Sequence, residues 1–296
     1  MIFNIIKKFL FKKVIGVRRS GALGDVLMIT PVLKRLWQIH PDAKIIVSTD
    51  CQNVLKNSPY IHKIERCEKK FFKKIDALID LNFAYEKRPH LHVVEAYFQE
   101  AFNEKPFDYR LELNVTKKDY LSLDMKIASL KKPFLVMHQA KSWDNRTWPK
   151  AYWDHLTKRC IDAGYDVAIV GQGEDFFYEG EGAFDFRKIL TLQEIKILIE
   201  KSEGFISIDS GLFHIAQTTQ TPVFGIFTIA DPALRITRKE NTYPFIPSLS
   251  CRFCLHKESP PVTFFKCPLQ TNGCVKDISP DSIAIKVLDV LKKRSE

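Results

Sequence analysis

No uninterrupted apolar run in the 296 residues approaches the roughly 18 that cross a bilayer as a helix, so no helical membrane span is expected. Internal repeats and low-complexity tracts are missing as well, which sets aside solenoids, arrays and disordered tails. The opening "MIFNIIKKFLFKK" is apolar and basic, but lysines break its apolar run and no small-residue cleavage site follows. It is therefore not read as a signal peptide. A helix packed on its own domain and a membrane-surface segment both remain open readings for it. Seven cysteines, an odd number with four crowded between Cys251 and Cys274, do not make a secreted disulfide framework. A reducing, cytoplasmic setting is expected. The balance of 45 Lys and Arg against 35 Asp and Glu leaves a net charge of +10, which favours anionic partners. The basic residues form small scattered clusters, such as Arg18-Arg19 and Lys73-Lys74, rather than a stripe. No recognition helix accompanies the cysteines, so a nucleic-acid-binding zinc protein is the weaker alternative.

Strand-like and helix-like runs alternate almost throughout. "KVIGV", "AKIIVST", "HKIERC" and "IDALIDL" read as strands in the first half, and "PFLVMHQ", "DVAIVG", "GFISID" and "TPVFGIF" in the second. Helical patterns lie among them, including "HVVEAYFQEAF", "PKAYWDHLTKRCIDAG", "TLQEIKILIEKSE" and "GLFHIAQTTQ". Continuous Val, Ile and Phe strands, each followed by a helix, predict parallel sheets covered on both faces, an α/β fold. Gly164 and Gly204 stand where helix C-caps belong. Thr30-Pro31 either kinks the first helix or restarts it. The lysine-rich stretch ending at Pro133 separates two domains, 1–130 and 131–296, and two such sheets facing one another would place a ligand cleft at their carboxyl ends.

Three loops in the second half follow strands. In "ISIDSGLFHIAQ", Asp209 ends a strand and Gly211 permits a tight turn. The N–H groups from Ser210 onward open a helix that could receive a diphosphate, and His214 lies one turn in. Equally, Asp209 could cap that helix and His214 could be a core residue. In "HQAKSWDNRTWPKAYW", Arg146 sits on the same rim, where a guanidinium suits bidentate phosphate contact. Trp143 and Trp148 could stack on a base or pack the loop, and packing is the reading preferred. "VGQGED" brings Glu174 there, a carboxylate suited to ribose hydroxyls. In the first half, "SGALGDVLMITPVLKRL" has Gly21 and Gly24 three apart with Asp25 behind them, opening another helix. The helix dipole favours a charged carboxylate there, available as a proton acceptor although a weak base.

In combination and in this order, "GALGDVLMITPVLKRLWQIHPDAKIIVST", "RTWPKAYWDHL", "VAIVGQGED" and "DSGLFHIAQTTQTPVFGIF" resemble glycosyltransferase family 9, the ADP-heptose:lipopolysaccharide heptosyltransferases. That resemblance implies a GT-B fold: two Rossmann-like domains facing a central cleft, acceptor on the first and nucleotide-sugar donor on the second. It also implies that Asp25 takes the proton of the acceptor hydroxyl as the anomeric carbon is inverted, with Arg146 on the departing diphosphate. Glu174, Asp209, Ser210, Gly211, His214 and Thr228 would form the donor site, with Gly21 and Gly24 shaping the acceptor turn. The implied partners are an ADP-sugar and a phosphorylated glycolipid or other glycan, handled by a cytoplasmic enzyme at the inner membrane's anionic face. Protein Ser/Thr acceptors and a non-catalytic fold-mate are the alternatives. No D-x-D, the divalent-cation motif of the other main glycosyltransferase class, is present, so no catalytic metal is expected. Where the family carries a glycine-proline-threonine loop, this chain has "TIADP", Thr228 to Pro232. Finally, Cys251, Cys254, Cys267 and Cys274 are spaced C-x2-C-x12-C-x6-C, which suits a structural zinc or iron site, with reduced thiols packed in a loop as the alternative.

Overall fold

The computed structural model describes residues 14–66, 75–256, 267 and 269–295. The opening segment, with its two readings, and Cys67 lie outside the described residues. The chain divides into two compact units, Met1–Asn114 and Val115–Glu296.

In the first unit a parallel sheet has the order β3-β2-β1-β4. Its strands are β1 (Val14–Arg18), β2 (Lys44–Ser48), β3 (Lys63–Glu65) and β4 (Ala77–Asp80). Helices α1 (Leu23–Leu27) and α2 (Thr30–Ile39) follow β1, and α3 (Val93–Phe102) follows β4. At Thr30-Pro31 the helix restarts rather than kinks. Pro31 falls in the first turn of α2, where its missing N–H costs nothing, and the Thr30 hydroxyl donates to the Leu27 carbonyl at 2.8 Å. Ile15, Val17, Val26, Leu33, Leu36, Ile45, Val47 and Tyr97 are fully buried and form the core between sheet and helices.

The second unit is built on a six-stranded parallel sheet of order β10-β9-β8-β5-β6-β7. Its strands are β5 (Phe134–His138), β6 (Asp166–Ile169), β7 (Ala183–Asp185), β8 (Gly204–Ile208), β9 (Val223–Ile226) and β10 (Thr242–Phe245). Its helices are α4 (Lys117–Lys126), α5 (Lys150–Asp162), α6 (Leu192–Lys201), α7 (Gly211–Ala216), α8 (Gly273–Asp277) and α9 (Pro280–Ser295). The lysine-rich separator thus contributes a helix, α4, whose Lys126 and Ser122 both reach Glu194 of α6 at 2.6 Å. Trp148 and Trp153 are wholly buried, edge to face at 4.8 Å between ring centroids, and the Trp148 indole N–H donates to the Ile278 carbonyl. Truncating either ring to alanine would cost ~3–5 kcal/mol. Gly164, at φ +96°, ends α5 as its sequence position suggested. Gly204 does not cap a helix. It opens β8, and an added Cβ there would press on Leu135 and Phe224 at 3.2 Å, so the glycine serves sheet packing.

In an open parallel sheet, ligands gather where the strand order reverses, beyond the carboxyl ends of the strands. In the first unit that point lies between β1 and β4, and in the second between β5 and β8.

Candidate functional site

Asp25 lies in α1, in the loop region that leaves β1 at the first unit's switch point. Gly21 makes the turn at φ +121°, and an added Cβ would stand 3.0 Å from Asp25 Oδ2. Gly24 is buried within α1. The adjacent arginines, alike in the sequence, part company: Arg18 pairs with Asp80, whereas Arg19 turns inward. The Arg19 guanidinium is 3.3 Å from Asp25 Oδ2 and 3.5 Å from Glu86 Oε1, and lies over the rings of Tyr85 and Tyr97. Burial alone would disfavour its charge, but Tyr97, Asp25, Tyr85 and Glu86 outweigh that cost and hold it firmly protonated. The Ala22 N–H also donates to Oδ2, at 3.2 Å, and the Tyr97 hydroxyl donates to the Asp25 carbonyl. Both anchors fall on Oδ2. Oδ1 takes no hydrogen bond among the described residues, and the side chain is 22% exposed. A fixed carboxylate with one uncommitted oxygen can accept a proton.

In the second unit, the loops after β5 and β8 meet at the switch point. A tight turn, with the Arg146 and Thr147 N–H groups both on the Trp143 carbonyl at 2.8 Å, projects Arg146 toward the end of β8. One guanidinium nitrogen donates to the Asp209 carbonyl oxygen, and the same nitrogen is 3.8 Å from Asp209 Oδ2. The Trp143 ring lies beneath it at 5.2 Å. Arg146 Nε is buried and has no partner among the described residues. Such a donor is held in place yet not consumed.

Asp209 does not cap α7; Ser210 does, its hydroxyl accepting the Phe213 N–H at 3.3 Å. Asp209 instead gathers hydrogen-bond donors and arginines. Burial raises its pKa, but His214, Arg146 and Arg235 more than reverse that, so it stays ionised far below the usual carboxylate range. His214 is buried and its tautomer is set by Gln217. The Gln217 amide oxygen accepts from the Thr237 N–H, so its NH2 faces His214 Nδ1 at 3.1 Å and Nε2–H points to Asp209 at 3.5 Å. Gly211 opens α7, whose six residues make too short a dipole to hold an anion unaided. Thr228 is buried, donating to the Asn145 carbonyl at 2.7 Å, and so ties the loop after β9 to the turn bearing Arg146. Arg146, Asp209, Thr228, Ile229 and Ala230 line one small pocket. Glu174 is exposed in the loop after β6.

Sequence reasoning missed the residues behind this rim. His138, at the end of β5, stands with Nδ1 3.1 Å from Ser210 Oγ and 3.3 Å from Ser207 Oγ. Its Nε2 is 3.2 Å from Asp175 Oδ2. The β5 and β8 run "VMH" and "ISIDS" were visible, but nothing in the sequence pairs residues 72 apart.

The four clustered cysteines form no disulfides. Burial together with the neighbouring Cys267, Cys254 and Cys251 pushes the Cys274 thiol up to about 11. Burial also acts to raise Cys267, yet N–H groups of Asn272, Thr271 and Leu269 bring it below its ordinary value. Among the described residues no group of three or more His, Cys, Asp or Glu is arranged to hold a metal ion. The segment is nonetheless fastened to the site: the N–H groups of Phe253 and Leu255 donate to the carbonyls of Thr228 and Ile229 at 3.1 Å.

Among the described residues no helix is long and apolar enough to cross a membrane. Against known proteins, residues 50–261 match the model of glycosyltransferase family 9 (heptosyltransferase). Asp25 precedes the matched stretch. Lipooligosaccharide heptosyltransferase 2 of Campylobacter jejuni is 24% identical, over 91% of this chain and 96% of its own length. Two solved structures share the fold. The iron-containing dodecameric glycosyltransferase TibC of enterotoxigenic E. coli aligns with a TM-score of 0.74 and 17% identity, covering 96% of this chain and 77% of its own. E. coli ADP-heptose lps heptosyltransferase II aligns at 0.72 and 16%, covering 96% and 100%. Two parallel-sheet units of the GT-B kind, and a family model matched over most of the chain, make this protein a glycosyltransferase of family 9, the heptosyltransferases.

Proposed function

We propose that the chain transfers heptose from ADP-heptose to a hydroxyl of a lipopolysaccharide-core acceptor, with inversion at the anomeric carbon and without a catalytic metal. The observation that carries this reading is Arg146, held at the end of β8 by Asp209 with its buried Nε unpartnered among the described residues. Arg146 and the Ser210 hydroxyl would take the charge that develops on the leaving diphosphate, joined by the Gly211 N–H. Positioned donors of this kind are worth roughly 3–4 kcal/mol each in the transition state. Asp209 and His214 act by fixing Arg146, Thr228 by fixing its turn, and exposed Glu174 by receiving ribose hydroxyls.

On the first unit the acceptor hydroxyl gives its proton to Asp25 Oδ1. The oxygen attacks the anomeric carbon as the bond to ADP breaks, and ADP leaves with the bonding electrons. Because the transition state is oxocarbenium-like, the Asp25 charge also stabilises it. The net charge of +10 suits a phosphorylated glycolipid and work at the anionic inner face of the membrane, from the cytoplasm. A structural zinc or iron at Cys251, Cys254, Cys267 and Cys274 would require these thiols to draw together from where they stand; so bound, it would brace the Thr228 loop and take no part in transfer.

A thermal-shift screen of ADP-, UDP- and GDP-sugars tests the donor. ADP-heptose should raise the melting temperature most, because a ligand that binds only the folded chain stabilises it by mass action. A preference for another nucleotide would overturn the donor assignment. Turnover on a lipid-core acceptor, set against a protein Ser/Thr acceptor with the same donor, tests the other half.

A further inference from the structure

The connectivity Asp175–His138–Ser210 is that of a serine triad, but its hydroxyl stands at the proposed donor site. We infer that His138 is a positioning residue that takes up a proton when the donor's diphosphate binds, releasing the Ser210 hydroxyl proton to the phosphate. This inference rests on the donor reading above.

Asp175 lies behind the ring in the loop after β6. Burial acts to raise its pKa, but the His138 ring and the N–H groups of Gln172 and Lys141, at 2.6 and 2.9 Å, bring it below its ordinary range. An ionised carboxylate only accepts, so His138 Nε2 carries a proton and donates to it at 3.2 Å. On the other side, His138 Nδ1, Ser207 Oγ and Ser210 Oγ stand 3.1, 3.1 and 3.3 Å apart, a closed triangle. With a neutral ring, that triangle has only the two hydroxyl protons. Ser207 spends its proton on the Ile208 carbonyl at 2.9 Å, so the neutral Nδ1 is met by the Ser210 proton at 3.1 Å. The Ser210 proton is then turned to the ring and away from a phosphate.

Protonation of Nδ1 reverses the pattern. Nδ1–H donates to Ser210 Oγ, which already accepts the Phe213 N–H, while Ser207 stays on the Ile208 carbonyl. The Ser210 proton is now free to point at an anion. The positive charge of the ring stays balanced by Asp175, so the bound diphosphate gains a neutral hydroxyl donor with a cation one bond behind it.

The other charged groups around the triangle are compatible with this. Arg187 Nη1 donates to the Asp175 carbonyl at 2.5 Å and leaves the carboxylate oxygens to the ring and the loop. Asp209, next to Ser210, is occupied by Arg146 and His214. Lys141 meets Asp175 through its backbone. Gly171 makes the arrangement possible: at φ +136° it passes so close that an added Cβ would be 2.3 Å from Asp175 Oδ2 and 2.8 Å from His138 Cδ2.

The test is calorimetry of ADP-heptose binding to the full chain between pH 6 and 9, in buffers of different ionisation enthalpy. The diphosphate of ADP-heptose is a diester with no ionisation in this range, so any proton taken up enters the protein. Toward alkaline pH, uptake should approach one proton per donor bound, and Kd should rise up to tenfold per pH unit. His138→Gln and Ser210→Ala should each still bind, with proton uptake abolished and Kd flat with pH. Ser210→Ala keeps the test decisive if the histidine variant fails to fold. Binding by the wild type with no uptake and a pH-independent Kd would overturn the inference and leave the donor reading standing. Uptake that persists in folded His138→Gln would place the proton elsewhere and overturn it too. If ADP-heptose does not bind at any pH, the donor reading falls and takes this inference with it.

Discussion

Replacing Arg146 by alanine removes the only guanidinium that the loop after β5 brings to the end of β8. In the wild type this group donates to the Asp209 carbonyl, stacks on Trp143 at 5.2 Å and keeps Nε unpartnered among the described residues. Its contact with a ground-state diphosphate is one charge-assisted hydrogen bond among several, so donor affinity should fall about tenfold, or ~1.4 kcal/mol. The larger loss is in the transition state, where the leaving diphosphate gathers charge. There, one positioned donor is worth ~3–4 kcal/mol, or roughly 10²–10³ in kcat. Arg146→Lys keeps a point charge without the fork and should recover part of kcat. The assay is ADP release from ADP-heptose at saturating acceptor, with donor Kd by calorimetry and melting temperature as the control for folding. Asp209 retains His214 and Arg235, so the fold should survive. A folded Arg146→Ala with kcat within threefold of wild type and unchanged Kd would refute the placement.

Gly171→Ala forces a side chain into a left-handed backbone against Asp175 and His138, and should cost ~1–3 kcal/mol, seen as a melting temperature several degrees lower. An unchanged melting point would show that the loop yields freely. Asp209 and Asp175 both titrate below their unfolded values, so their stabilisation is complete above about pH 5 and is lost as pH falls toward the folded values. The melting temperature should therefore decline from about pH 5 downward, and Asp209→Asn should flatten that decline; an equally steep profile in the variant would contradict the assignment. Elemental analysis of the purified chain should find about one zinc or iron, lost in a Cys251→Ser, Cys254→Ser variant that still binds donor. Metal-free protein of full stability would remove the ion from the account.

The sequence makes legible what is determined locally and hides what is determined by contacts distant along the chain. β5, β8 and β9 read as continuous Val, Ile, Met and Phe runs because both faces of each are buried. The edge strands β7 and β10 were not seen. Three or four residues in "AFD" and "TYPF" make no apolar run, and Pro244 is tolerated only because β10 pairs on one side. α4 carries no helical apolar pattern, since Leu123 is its one buried residue, and so its stretch reads as a domain separator. Gly21, Arg146 and Ser210 stood out because strand ends followed by glycine or a basic loop have a chemical meaning in one dimension. Arg19 looked like half of a surface charge pair, and its burial against Asp25 and Glu86, 67 residues away, is a tertiary fact. The same holds for His138, whose partners Asp175 and Ser210 lie 37 and 72 residues off.

The central claim is that Asp25 does chemistry on the acceptor while the second unit alone holds the donor. Single-turnover transfer by Asp25→Ala, with ADP-heptose affinity measured on the same sample, tests it most directly. The account predicts transfer reduced to background with donor Kd within about threefold of wild type, since removing one proton acceptor costs at least 10²–10⁴ in rate. Transfer at wild-type rate, or loss of donor binding in a folded Asp25→Ala, would contradict it.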